Sequence, residues 1–236
     1  MKAIVLNSSP NLDRGNTSLI SNPFVQELQN RGVYIDFFYS YKMKVNTCLG
    51  CFNCMLGRGN SCVHGDDLGS FLSKYCESDF RIFVFPVYAK FIPANMKNIF
   101  DRFMVVFDKS MDVRANRTAH GLKHFFKPGK TILISSCSFW EKSNFDLALD
   151  FFQTSAEEFN EDLAGKLFRP HALYLREEIS RGSKKVDDVQ IAARKAAQEL
   201  LEFGRVSKET ELVISRELLT RDDFIDFLED HYSYYD

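Results

Sequence analysis

Lys2-Ala3-Ile4-Val5-Leu6-Asn7, running into Ser8-Ser9-Pro10-Asn11-Leu12-Asp13-Arg14-Gly15-Asn16-Thr17-Ser18, is the stretch on which the reading of the chain turns. The first six residues carry an unbroken apolar centre, the pattern of a short strand buried on both faces. The next stretch is dense in small hydroxyl and amide side chains and leads toward a helix. Free backbone N–H groups and the helix dipole make such a β-to-α turn a natural anion site. The side chains of Ser9, Asn11, Asn16, Thr17 and Ser18 are its candidate contacts, since hydroxyls and amides donate to phosphate oxygens. The loop has no Gly-Lys-Ser/Thr, so a single phosphate on largely neutral donors, as in a mononucleotide such as FMN, suits it better than a triphosphate. The same residues equally suit a plain role, with Ser and Thr capping the helix and Asn and Gly turning the chain. Pro23 falls inside the expected first helix, which either kinks there or begins near Ser21.

Outward from this unit, short apolar runs alternate with helical patterns. Val33–Phe38, Arg81–Val87, Thr131–Ser135 and, more weakly, His171–Leu175 read as further strands. Leu68, Phe71, Leu72 and Tyr75 form one helical face behind Asp66 and Asp67. Further helices are expected over 94–107, 144–159 and 186–203, the last ending at Gly204. Alternation of this kind predicts a three-layer α/β fold, flavodoxin-like, with a five-stranded parallel sheet in the order 2-1-3-4-5. Ligands of such sheets sit beyond the carboxyl ends of the strands, which directs the search to the loops after strands 1, 3 and 4. Residues 1–206 are expected to form one domain with a cysteine loop at 48–62 and an inserted loop at 108–130. Residues 207–236 form a helical tail, where Thr220 and Asp223 mark a helix start and Phe224, Ile225, Phe227 and Leu228 an apolar stripe.

The composition narrows the function classes. In 236 residues, Lys plus Arg is 30 and Asp plus Glu is 32, a net charge of −2, so no broad basic surface is available for nucleic acid. Hydrophobic residues at 45% and charged residues at 26% are globular proportions, and 23 Phe residues allow an aromatic-rich core. No apolar run reaches the roughly 18 residues of a membrane span. The first residues lack a secretory h-region, and a cytoplasmic protein is expected.

Cys48-x2-Cys51-x2-Cys54-x7-Cys62 places four of the six cysteines in one short loop. Disulfides are uncommon in a reducing compartment, so a metal or redox site is the better expectation. Three cysteines at consecutive x2 spacing let one tight turn aim three thiolates at one centre, with Cys62 closing the fourth corner. That run resembles a cluster-binding pattern more than the two separated pairs of a structural zinc site, with a loop holding no metal as the alternative.

After the third strand, Pro86-Val87-Tyr88 leads through a proline-bounded turn to Phe91 and Pro93, apt for walling a flat ring. Ser136 after the fourth strand faces the same end of the sheet, with Trp140 either shielding a ring or simply packing.

Together, Ser-Ser-Pro…Gly-Asn-Thr-Ser, the cysteine loop ending in Asp66-Asp67, and Pro86-Val87-Tyr88 followed by Met96-Lys97…Phe100-Asp101-Arg102 resemble the NADPH-dependent FMN reductase family. Within it they resemble the iron-sulfur flavoproteins. The resemblance covers residues 2–107 well and the later strands weakly. It implies FMN held by the first loop and by Pro86, Val87 and Tyr88, with Phe91 and Ser136 beside it. It also implies a [4Fe–4S] cluster on Cys48, Cys51, Cys54 and Cys62. The expected activity is electron transfer between NAD(P)H, or a ferredoxin-like donor, and a small-molecule or protein acceptor, in a homodimer or homotetramer. A cluster-free NAD(P)H-dependent flavin or quinone reductase and a noncatalytic nucleotide- or metal-binding sensor are the alternatives. No side chain stands out as an acid or base catalyst, because a flavin carries the chemistry itself.

Overall fold

The computed structural model describes residues 1–57 and 61–233; residues 58–60 of the cysteine loop and 234–236 of the tail lie outside the described residues. In chain order the elements are β1 (Lys2–Asn7), α1 (Ser18–Asn30), β2 (Tyr34–Tyr39), α2 (Asn53–Leu56), α3 (Leu68–Glu77), β3 (Phe80–Pro86), α4 (Ala94–Phe100), β4 (Phe107–Arg114), β5 (Arg117–Leu122), β6 (Lys130–Ser136), α5 (Asp146–Glu158), β7 (Asp162–Arg169), α6 (Ala172–Ser180), α7 (Asp187–Phe203), α8 (Lys208–Ser215) and α9 (Arg221–Ser233). The sheet is β2-β1-β3-β6-β7, parallel throughout, which is the expected 2-1-3-4-5 order with the β4–β5 pair set aside.

Side-chain alternation along the strands builds two cores. Ala3 and Val5 of β1 face Ile20, Phe24 and Leu28 of α1 and the alanine stripe of α7. Ile4 and Leu6 face Phe71 and Tyr75 of α3, Met96 and Ile99 of α4, and Phe152 of α5. With both faces covered, the strands are continuous apolar runs. The phenylalanines concentrate in the second core, where Phe83, Phe100, Phe103 and Phe152 pack ring to ring at 4.9–5.4 Å. Gly204 ends α7 in the left-handed conformation, φ 74°, which a side chain would disfavour.

Several expectations are corrected. The fifth strand is β7, not His171–Leu175. His171 takes a left-handed φ of 38° after Pro170, and Ala172 opens α6. β7 hides from pattern reading because it is an edge strand interrupted by Gly165, where an ideal Cβ would lie 2.6 Å from Val206. The helix expected over 94–107 stops at Phe100, and a single 3-10 turn, Phe103–Val106, follows. The inserted loop is an antiparallel hairpin, β4–β5, closed by Ala115 and Asn116 at φ 47° and 60°. Without the usual Gly, that two-residue turn carries little sequence signal. α1 starts at Ser18 and continues through a buried Pro23, so it does not begin at Ser21. Among the described residues, no helix is long and apolar enough to cross a membrane.

The tail packs on its own chain. Thr220 and Asp223 form a reciprocal cap, Phe224 is buried, and Phe227 meets Tyr174 edge-on at 5.1 Å, whereas Ile225 is exposed. Arg169, wholly buried, donates to the carbonyl oxygens of Ile214 (2.7 Å) and Arg216 (2.6 Å), and His171 Nε2 accepts the Leu218 N–H at 3.2 Å. Burial, helped by the Arg169 charge, pushes the His171 pKa down from 6.5 to about 3. The native state therefore keeps this imidazole neutral while the unfolded chain protonates below pH 6.5. Stability is expected to fall as pH drops below 6.5, by about 1.4 kcal/mol per pH unit from this group, until about pH 3. Urea unfolding at pH 7 and pH 5 checks this, since His171→Gln removes that part of the slope.

Candidate functional site

Three loops at the carboxyl edge of the sheet meet in one cavity of about 360 Å³. The loop after β1 contributes Ser9, Asn11, Arg14, Gly15, Asn16 and Thr17. The β3 loop contributes Pro86, Val87 and Tyr88, the β6 loop Ser136, Cys137 and Ser138, and α6 contributes Arg176. The loops are tied together from within. Thr17 Oγ1 and Ser136 Oγ share a hydrogen bond at 2.6 Å, and the Val87 N–H donates to Ser136 O at 2.8 Å. Gly15 allows the close turn, for an ideal Cβ there would lie 2.5 Å from Ser9 Oγ. Among the described residues, the backbone N–H groups of Gly15, Asn16 and Thr17 donate to no protein acceptor, immediately ahead of α1. Consecutive free donors at a helix start are an anion nest.

Of the sequence candidates, Ser9, Asn11, Asn16, Thr17, Pro86, Val87, Tyr88 and Ser136 line this cavity. Ser18 instead turns its hydroxyl to the Gly15 carbonyl at 2.6 Å. Phe91 also lies off the lining. It pairs with Tyr88 across a tight turn through two backbone hydrogen bonds of 2.9 Å, and its ring meets Phe151 at 5.6 Å. That turn holds Ala89 and Lys90 at positive φ, so the half-exposed Tyr88 stands on a stiff support at the cavity mouth. Burial pushes the Cys137 thiol up to about 12, leaving it protonated and without nucleophilic character. Trp140 is committed elsewhere, donating to Leu219 O at 3.2 Å beneath the Arg221 guanidinium.

Cys48, Cys51, Cys54 and Cys62 line a separate, smaller cavity of about 80 Å³ together with Arg102 and Met104. Cys48 and Cys51 are exposed, and Cys54 and Cys62 partly buried. Burial raises the Cys54 thiol pKa, and the neighbouring Cys62 and Cys51 raise it further against the opposing Lys123 charge. The expected aim of three thiolates at one point is not realised. Among the described residues no three His, Cys, Asp or Glu side chains gather closely enough to hold a single ion. The loop is anchored by Arg102, which is 3% exposed. It donates to Asp66 Oδ2 (2.5 Å), Asn46 O (3.1 Å) and Cys62 Sγ (3.2 Å). Its Nε–H is buried without a partner among the described residues. Burial opposes ionisation of Asp66, but hydrogen bonds from Arg102 and the Asn46 N–H hold its carboxyl at about 2. From the other side, Lys123 donates to Cys54 O (2.7 Å) and Val105 O (2.8 Å).

Residues 1–154 match the family NADPH-dependent FMN reductase. The chain belongs to that family. Within 104 residues it is 35% identical to an iron-sulfur flavoprotein of Archaeoglobus fulgidus, covering 44% of this chain and 46% of the relative. Over 102 residues it is 30% identical to an iron-sulfur flavoprotein of Methanocaldococcus jannaschii, covering 43% and 51%. The chain spans about half the length of the curated relatives it matches. Its fold is shared with an FMN-dependent NADH-azoreductase from Bacillus anthracis solved with FMN (TM-score 0.60, 13% identity, 85% of this chain and 99% of that one). It is also shared with the NAD(P)H:quinone oxidoreductase from Methanothermobacter marburgensis (TM-score 0.57, 11% identity, 85% and 97%).

For a member of the NADPH-dependent FMN reductase family, the charged residues of both cavities were the part hidden from sequence. Arg14 lines the larger cavity from within the first loop. Arg176 reaches the larger cavity from a distant segment, Lys123 reaches the Cys54 carbonyl from just beyond β5, and the link of Arg102 to Cys62 spans 40 positions.

Proposed function

We propose that this chain is an oxidoreductase that holds FMN in the larger cavity, takes reducing equivalents from NAD(P)H and passes them to an acceptor through the cysteine centre. The observation that carries the reading is the run of N–H groups at Gly15, Asn16 and Thr17, without acceptors among the described residues, at a cavity walled by Pro86, Val87, Tyr88 and Ser136. Donors and volume both suit a flavin mononucleotide. Bound there, FMN supplies two-electron exchange with a nicotinamide and either paired or single transfer onward. The chain binds and orients. The nest and the Asn16 and Thr17 side chains take the phosphate, Tyr88 covers the ring, and the β3 and β6 loops offer fixed backbone groups to its polar edge. No lining side chain is needed as an acid or base.

A [4Fe–4S] cluster would be held by Cys48, Cys51, Cys54 and Cys62. The four cysteines line one cavity, and three of them follow at consecutive x2 spacing, a pattern that suits a cluster better than the separated pairs of a structural zinc site. The Arg102 Nε–H, buried and without a partner among the described residues, and the Lys123 ammonium at the Cys54 carbonyl would supply a donor and positive charge for a sulfide-rich anion. A cluster there would supply single-electron steps. The exposed Leu49, Phe52, Leu56 and Val63 around it offer a face for a ferredoxin-like protein or another copy of the chain, in a homodimer or homotetramer. A cluster-free flavin or quinone reductase is the second reading, favoured by the exposure of Cys48 and Cys51. A reducing cytoplasm suits either.

Anaerobic purification with joint flavin, iron and sulfide analysis separates these readings. The expected result is about one FMN and four irons with four sulfides per chain, the stoichiometry of the named cofactors. Flavin without iron selects the reductase, and a colourless chain that takes up neither ends both. Cys51→Ala is expected to abolish iron loading while FMN stays bound; equal iron in variant and parent removes the cluster assignment.

A further inference from the structure

The flavin cavity holds charge that its loop does not announce. Arg176 of α6 donates through Nε to Asn16 Oδ1 and through Nη2 to the Arg14 carbonyl at 2.8 Å. Its Nη1 has no protein partner among the described residues. Because the guanidinium occupies Asn16 Oδ1, the amide keeps Nδ2, and so its two donor hydrogens, for another acceptor. Arg14 and Arg176 are the charged side chains lining the cavity among the described residues. The acid of the same loop is tied up elsewhere, for both oxygens of Asp13 lie 2.7 Å from the Tyr39 hydroxyl that donates to them. A dianion entering the nest therefore meets two guanidinium groups and no carboxylate.

We infer that Arg176 is the residue by which this site distinguishes a phosphorylated flavin from riboflavin. It presents charge to the phosphate and fixes Asn16 with its donor end toward it. The inference rests on the FMN reading of the cavity. Arg176 also braces α6 against the loop, and bracing alone would support both flavins equally; a charge-assisted contact supports only the one carrying phosphate.

The test is titration of the flavin-stripped full chain with FMN and with riboflavin, followed by flavin fluorescence, for the parent, Arg176→Lys and Arg176→Met. In Arg176→Met the FMN dissociation constant is expected to rise about ten- to hundredfold, the loss of one charged hydrogen-bonding partner. The riboflavin constant is expected to stay within about twofold. Added salt should weaken FMN binding less in Arg176→Met than in the parent. Arg176→Lys, which keeps charge without the fork, should fall between the two and reports on the charge if the methionine variant folds poorly. Equal loss for both flavins, or unchanged FMN affinity, overturns the inference while leaving the FMN reading standing. A parent chain that binds neither flavin overturns the FMN reading itself.

Discussion

Asn16→Ala combined with Thr17→Ala is expected to raise the FMN dissociation constant by about two to four orders of magnitude, since each removed donor to a charged phosphate costs about 1.5–3 kcal/mol. Asn16 stands in the nest with its oxygen committed to Arg176, so its loss removes both a donor and an anchor for that guanidinium. Thr17 is 1% exposed, and its hydroxyl is linked to Ser136. In a pair of hydroxyls one hydrogen is used internally and the other remains available to a ligand. Removing Thr17 Oγ1 also unties the β1 loop from the β6 loop, so the ring end of the cavity loosens with the phosphate end. Fluorescence titration measures the change, and an unfolding curve on the same sample separates lost binding from lost structure. An unchanged affinity would move the phosphate to some other part of the chain.

Arg81→Met is expected to destabilise the fold by about 3–5 kcal/mol, the cost of stripping the partner from a buried charge. Arg81 is 0% exposed, and its ion-pair partner Glu161 has a side chain 1% exposed. Its guanidinium donates to Tyr75 O at 3.0 and 3.1 Å and to Lys127 O at 2.5 Å, and it lies over the Tyr75 and Phe126 rings. Glu161 accepts from Thr131 Oγ1 at 2.6 Å as well, yet burial still pushes its carboxyl upward against the pull of Arg81. Without the cation that carboxyl is stranded. Adding Glu161→Leu to Arg81→Met should recover part of the loss, because an apolar pair of similar bulk avoids the desolvation. Urea unfolding of the three chains gives the comparison; a single variant within about 1 kcal/mol of the parent would show that the pair carries little stability. The cluster sits at the amino end of β3, away from the cavity beyond Pro86, so the folded fraction should keep its flavin affinity.

How much could be read beforehand depended on whether the signal was local. β1, its polar loop and the start of α1 are contiguous, and the loops after β1, β3 and β6 meet because a parallel sheet puts its carboxyl ends on one edge. The cysteine spacing is local too, which is why its residues were legible although the way they spread around a cavity was not. The misses share a cause. β7 mixes Asp162, Gly165, Lys166 and Arg169 into an edge strand, and the Ala115-Asn116 turn folds a polar stretch into a hairpin without a glycine to mark it. Arg176 donates to a residue 160 positions away, and Arg102 to one 40 positions away. Contacts at that separation follow from tertiary packing and leave no spacing to detect. α8 is a short helix packed mainly against α7 and β7, in a tail whose clear start signal lies only at Thr220.

Arg169 makes the carboxyl end of β7 depend on the segment that joins α8 to α9. Two of its acceptors, at Ile214 and Arg216, and the N–H that satisfies His171, at Leu218, come from that segment. The Cys137 N–H in turn donates to the Arg169 carbonyl, so the loop after β6 rests on the same strand end. A proteolytic nick between α8 and α9 should therefore loosen that loop while the β1–β3 centre of the sheet stays protected from hydrogen exchange.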